Sequence, residues 1–552
     1  MRRPADCTPR SSRPRSGAVH TTRVPVRGVA VMLSLIWLSP LWTSAAGQPA
    51  SGPVYEAYQR AHALVERALD AHGGAAPIRT LRGIDYRYAG VTYDRDQTVR
   101  ASDAFDSLPP SRPVGFRIAL DIPGGRTLSE SDVQPAGEAG LRSRTVQRGR
   151  EVLRFALPLP DRRGDGLGSS PRRTVYTVDS VSAPAATGLP FQQQLMPVLV
   201  LRQAIVRANT LRYLGRRAHA RGADDVVTMN NADGSVLALG FDTRTGLLST
   251  VETVGEIGLF GDGDHVWRFR DYRAIDGLLL AGAFQHRING LLQEDLRLVA
   301  AQLNPSWSDT TFAAPAGYVA QAAVRSAPPP ARVVRVGPSS YVLEGASGYR
   351  VLVAEHDSGL VVVEAPLNAR TATEALGLLR EASPGKSVTH VVLTHHHLDH
   401  VGGIRPFVEA GAVVVAPSGA VEYLRRIIGA SLSFGTLGQP RRPPVTPRIE
   451  AVAPGEQRRI GPLRLLHVAT SHAAGMLVAH LPSERLLFQA DLLQVDEPGG
   501  AARPAATAAE LETFVRRSTP DVDRIVGVHG HAADAARLSE AAREWERRRS
   551  RQ

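Results

Sequence analysis

From Val54 onward, Ala57, Ala61, Leu64, Val65, Ala68 and Leu69 recur at helical spacing and Gly73-Gly74 supplies a stop, which predicts an amphipathic helix. Beyond it the period shortens to two. Residues 235–241 and 247–254 are alternating runs on either side of Asp242-Thr243-Arg244-Thr245-Gly246, a hairpin pattern. Trp267 and Phe269 alternate with Arg268 and Arg270 ahead of an Asp276-Gly277 turn, as expected of a sheet with one buried and one wet face. This β-rich texture fills residues 55–320. Ser326-Ala-Pro-Pro-Pro-Ala-Arg332 follows as a stiff, polyproline-like stretch, so residues 321–332 read as a linker. In residues 333–548 strands alternate with helices. Strands are expected at 349–354, 360–364, 388–394, 411–417, 463–469, 476–482, 485–490 and 524–529, and helices near 369–382, 508–517 and 532–547. That is a layered α/β pattern, preceded by a mainly antiparallel β domain that opens with a helix.

At 552 residues with 43% hydrophobic content, the chain has material for two cores. Its net charge of +12 would suggest a polyanion partner if it were spread over the body, but it is concentrated at the ends. Seven arginines face only Asp6 in residues 1–50, and five face Glu544 and Glu546 in the last ten residues. The body is nearly neutral, and nucleic acid is not an expected partner. Residues 28–42 form an apolar run behind the arginine-rich stretch and lead into Thr43-Ser44-Ala45-Ala46-Gly47. Residues 1–46 therefore read as a secretory signal, and the expected location is the periplasm or the cell exterior. Pro40 breaks the short run, so membrane contact is expected only through an uncleaved signal acting as an anchor. The single cysteine, Cys7, would leave with the signal, removing disulfides and thiolate ligands from consideration.

The segment Val391-Val-Leu-Thr-His395-His396-His397-Leu398-Asp399-His400-Val401-Gly402-Gly403 runs an apolar strand into a histidine-dense turn. His395, His397, Asp399 and His400 offer imidazole and carboxylate donors at a strand end, where clefts form, and such donors suit zinc.

This segment resembles the His-x-His-x-Asp-His signature of the metallo-β-lactamase superfamily. The resemblance extends downstream in order: His472 in Thr-Ser-His-Ala-Ala-Gly, Asp491 at the end of Leu-Leu-Phe-Gln-Ala-Asp, and His529 in Val-Gly-Val-His-Gly. It implies an αββα sandwich holding two divalent ions, with zinc expected and iron or manganese as alternatives. By the same resemblance His395, His397 and His472 bind one ion, Asp399, His400 and His529 bind the other, and Asp491 bridges them. Two cations flanking a carboxylate lower the pKa of a shared water toward neutrality, and Asp399 would also orient the resulting nucleophile. Glu364 stands where the family usually has aspartate and is expected to accept a hydrogen bond rather than bind metal. His396, His467, His480 and His531 match no motif position and are expected beside the ligands or in solvent.

The implied activity is hydrolysis of a small carbonyl substrate, an ester, thioester, lactone or lactam. An aspartate at 491, where zinc β-lactamases commonly carry cysteine or serine, turns the expectation away from antibiotic hydrolysis. Persulfide dioxygenases of the same scaffold use one iron and leave part of the second ligand set unused, whereas that set is filled here. The N-terminal half resembles lipoprotein-carrier-like domains in its opening helix with Gly73-Gly74 and in the Gly240-Phe-Asp-Thr-Arg-Thr-Gly-Leu-Leu248 hairpin, which implies a site for an apolar ligand. A carrier with a secondary metal domain is the alternative reading. Residues 431–448 have no period and are expected to form a loop by the cleft, with Arg441 and Arg442 as candidate contacts for an anionic group.

Overall fold

The computed structural model describes residues 52–93, 95–106, 111–133, 141–157, 175–180, 196–231, 234–322, 331–346, 348–433 and 445–551. The signal segment, Arg441 and Arg442, and most of the proline-rich linker lie outside the described residues. The opening helix, Pro53–Ala71, buries Ala61, Val65, Ala68 and Leu69, the stripe expected of it. It lies with Ala75–Thr80 and Pro197–Val206 on a 14-stranded sheet whose neighbours are antiparallel apart from one parallel pair, Val175–Ser180 with Val319–Ala322. The Gly83–Tyr93 strand sits in the middle, paired with Ser111–Asp121 on one side and Leu291–Leu303 on the other. The predicted hairpin is present as Val236–Asp242 and Leu248–Glu256. Trp267 and Phe269 face the core while Arg268 is exposed.

The sheet bounds a cavity of about 500 Å³ lined by Tyr86, Tyr88, Phe116, Met196, Trp267 and Phe284 among others. Helix Pro197–Val206 was not legible as a helix. Its Pro-Val-Leu-Val-Leu run lacks a polar stripe because Pro197 through Leu201 are all buried, and a fully buried helix has no amphipathic period.

Two further sheets form the C-terminal part. The first has seven strands, in the order Arg332–Arg335, Ser340–Ala346, Tyr349–His356, Gly359–Val363, Val388–Val392, Val413–Pro417 and Ile449–Val452. The second has six, Gln457–Ile460, Leu463–Val468, Met476–Leu481, Leu486–Gln489, Arg524–Gly527 and Ala533–Asp534. Period-two alternation explains the layering. Leu352, Ala354, Val361 and Val363 face the second sheet, whereas Val351, Val353, Leu360 and Val362 face helices Ala369–Ala382, Ile404–Glu409 and Val421–Gly429. Both faces of these strands are buried, so they read as continuous apolar runs. Helices Ala506–Ser518 and Ala535–Arg549 contribute Ala508, Leu511, Val515, Leu538 and Ala541 to the core shared by the two sheets, giving the αββα order.

The β-rich and αββα parts belong to one compact unit, Gly52–Gln552. Asp262 accepts hydrogen bonds from the Ser433 amide and hydroxyl, and Phe105, Phe260 and Tyr423 pack as a ring cluster across the junction. Among the described residues no helix is long and apolar enough to cross a membrane.

Candidate metal centre

The Val388–Val392 strand ends beneath Thr394, and the chain turns through His395, His396 and His397 into the short helix Leu398–Val401. Its tight exit requires glycine at 402. A Cβ there would lie 1.9 Å from the Leu367 carbonyl oxygen. His395, His397 and His400 are buried to 2% exposure or less. The other ligand candidates follow strand ends, His472 after Leu463–Val468, Asp491 after Leu486–Gln489 and His529 after Arg524–Gly527. Asp491 at φ 58° and Glu364 at φ 86° occupy left-handed backbone that side chains adopt only when their surroundings impose it.

All seven predicted ligands are brought together, in the two groupings the resemblance implies. His395, His397, His472 and Asp491 offer donor atoms within 4.8 Å of one another, and so do Asp399, His400 and His529. Asp491 touches both groups. Its Oδ2 lies 3.2 Å from His395 Nε2, 3.2 Å from His472 Nε2 and 2.8 Å from His400 Nε2, and its Oδ1 lies 3.0 Å from His529 Nε2. Asp399 directs Oδ2 to His400 Nε2 at 3.3 Å and His529 Nε2 at 3.5 Å.

The donor chemistry fits a cation. His397 Nε2–H donates to the Thr98 carbonyl at 3.0 Å, which leaves the buried Nδ1 as a lone-pair donor with no hydrogen-bond partner. Burial pushes His395 down to about 3 and His397 down to about 2, aided by neighbouring imidazoles, so both stay neutral as metal ligands must. At His529 burial acts downward, but hydrogen bonds to Asp399 and Asp491 prevail and raise it to about 9. His400 is likewise raised well above its usual value, since Glu364, Asp491 and Asp399 outweigh desolvation. Both aspartates are held below the ordinary carboxylate range, because imidazole contacts overcome their burial.

Glu364 is wholly buried and accepts from His400 Nδ1 at 3.0 Å and from the Thr394 amide at 3.1 Å, the supporting role expected of it. His396 Nε2 meets Thr98 Oγ1 at 3.1 Å. His480 departs from expectation, being neither near the ligands nor solvated. It lies in the core strand Met476–Leu481 at 0% exposure, with Asp521 3.7 Å away.

Three contributors escaped the sequence reading. Gln97 Nε2 donates to Asp399 Oδ1 at 3.0 Å, Thr98 holds His397 and His396, and the Tyr349 hydroxyl lies 3.4 Å from Asp399 Oδ2. Gln97 and Thr98 belong to the β-rich part, some 300 positions from their partners, in an ordinary polar turn. No local pattern could have flagged them.

Residues 345–529 match the metallo-beta-lactamase superfamily. An (R)-specific secondary-alkylsulfatase of Pseudomonas sp. is 34% identical over 203 residues, 35% of this chain and 30% of the relative, so the chain spans under a third of that protein's length. A hydroxyacylglutathione hydrolase of Cereibacter sphaeroides is 28% identical over 199 residues, covering 35% of this chain and 67% of the relative. Among solved structures, the DIM-1 metallo-beta-lactamase aligns with 40% of this chain and 98% of its own at 16% identity and a TM-score of 0.31. The family match, the αββα order and the histidine turn at a strand end make the C-terminal domain a member of the metallo-beta-lactamase superfamily.

Proposed function

We propose that the C-terminal domain is a binuclear metal-dependent hydrolase of an ester-type bond in a small molecule, working after export. The observation that carries this reading is the placement of Asp491, whose two oxygens reach donors of both ligand groups at 2.8–3.2 Å. Bound there, two divalent ions, zinc first among the candidates, would supply a water acidic enough to attack at neutral pH and a Lewis acid for the substrate oxygen. The chain's own part is to keep His395 and His397 unprotonated, to hold His400 by its Nδ1–H on Glu364, and to aim Asp399 Oδ2 inward. His472, His529, Asp399 and Asp491 retain 17–28% side-chain exposure, so the centre is not sealed from solvent.

The names of the relatives add a sulfate ester and an acylated glutathione to the simple ester, lactone and lactam as bonds to try. The test is turnover of that panel before and after chelation, with zinc, iron and manganese added back, in wild type and Asp491→Ala. Chelator-sensitive turnover that one ion restores, and that the variant lacks, supports the reading. Turnover indifferent to chelation contradicts it.

The 500 Å³ cavity favours a second role, binding an apolar ligand in the β-rich domain. Its walls are mainly aromatic and aliphatic, which suits a hydrocarbon portion, while Glu294, His286 and Gln293 add a polar edge. Uptake of a fluorescent long-chain probe that Val114→Trp blocks would support this role, and equal uptake by both proteins would refute it.

A further inference from the structure

The segment 95–99 leaves the central Gly83–Tyr93 strand of the β-rich domain and crosses onto the metal centre. Arg95, 3% exposed, anchors its root through hydrogen bonds to the carbonyls of Leu292, Ala104 and Asp106. Further on, the segment is bonded to two ligand-bearing loops. The Asp96 carbonyl accepts from the Leu398 amide at 3.2 Å, and the Val99 carbonyl accepts from the Ala474 amide at 2.7 Å. Between these ties the Thr98 carbonyl takes the Nε2–H of His397, so only Nδ1 of that ring remains available.

The Gln97 contact is the informative one. An ionised carboxylate can only accept, so the amide nitrogen is the donor and Asp399 Oδ1 is engaged. The other oxygen, Oδ2, is the one near His400 and His529. The Gln97 bond on Oδ1, together with the longer Tyr349 hydroxyl contact on Oδ2, therefore sets which oxygen Asp399 presents to the second ligand group and at what angle. The Asp399 side chain is 28% exposed, and among the described residues no backbone amide donates to Oδ1 in place of Gln97.

We propose that the β-rich domain completes the metal centre, with Gln97 acting as a positioning residue that fixes Asp399 for the second metal while the Thr98 carbonyl fixes His397 for the first. The proposal rests on the binuclear reading above. It gives the N-terminal domain a role in the centre itself, apart from any ligand in its own cavity. Partners that orient metal ligands typically contribute about 10–100-fold to metal affinity.

The test is stepwise zinc affinity of the full chain by chelator competition, for wild type, Gln97→Leu and Gln97→Met. Each substitution removes the donor without adding charge, and the methionine keeps the length of the side chain, so it serves if the leucine variant fails to fold. The expected result is a second equivalent weakened about 10–100-fold, a first equivalent unchanged, and an unaltered melting midpoint of the chelator-treated protein. That last readout separates positioning from a merely structural role. Variants that bind both equivalents as wild type does overturn the positioning role and leave the binuclear reading intact. A wild type that binds no second ion overturns both.

Discussion

Glu364→Gln tests how a fully buried acceptor supports the metal centre. Glu364 accepts two hydrogen bonds, from His400 Nδ1 and from the Thr394 amide. Glutamine has one acceptor oxygen and one NH2. If its oxygen takes His400, the NH2 faces the Thr394 N–H, and if it takes Thr394, the NH2 faces His400 Nδ1–H. One buried donor is left unsatisfied in either orientation, at a cost of about 1–3 kcal/mol. The backbone contribution cancels, because both residues have the same shape at φ 86°. The tether on His400 is lost or weakened, and such losses typically reduce metal affinity by about 10–100-fold, or about 1.4–2.8 kcal/mol. The effect should fall first on the ion held by Asp399, His400 and His529, since among the described residues Glu364 bonds His400 directly and reaches His395 only through Thr394. Chelator competition resolves the two equivalents, and thermal unfolding of chelator-treated protein reads the stability cost. A variant with both zinc affinities and the melting midpoint of wild type would refute the reasoning.

Three further outcomes follow from the same structure. In chelator-treated protein His400 and His529 carry protons at neutral pH, His529 until about 9, so the second equivalent should release protons on binding and weaken as pH falls. Calorimetry in buffers of different ionisation enthalpy checks this, and a second equivalent with no proton release at pH 7 contradicts it. Chelation should lower the melting temperature, since ligand at 100 times its Kd adds about 2.7 kcal/mol per site, and the midpoint should rise with free zinc. A midpoint indifferent to zinc refutes that linkage. Burial and the neighbouring His286 push His265 down to about 4, below its unfolded value of 6.5, so the unfolded chain binds the proton more readily. Its contribution is full above pH 6.5 and is lost as pH falls from 6.5 toward 4. The loss of stability over that window should be shallower in His265→Gln than in wild type, and identical slopes would rule the contribution out.

The C-terminal architecture was legible because its strands are buried on both faces and end in distinctive chemistry. Val391, Val392 and Leu393 leading into His395 announce both a strand and a site, and each later ligand follows another apolar run. The β-rich half was legible only in part. Its hairpins follow period two, but the pairing of Gly83–Tyr93 with Leu291–Leu303 joins segments about 200 residues apart, and register at that range leaves no local mark. Gln97 was hidden for the same reason, since its partner is set by docking of one domain against another. His480 shows the converse limit, a histidine whose place is decided by a core strand rather than by the motif nearby.

The central claim, that one carboxylate joins two metal sites, is tested most directly by elemental analysis of metal per chain in wild type and Asp491→Ala. The account predicts about two divalent ions in the wild type and fewer in the variant, since Asp491 reaches donors of both groups. Metal-free wild type, or a single ion that the substitution leaves in place, would contradict it.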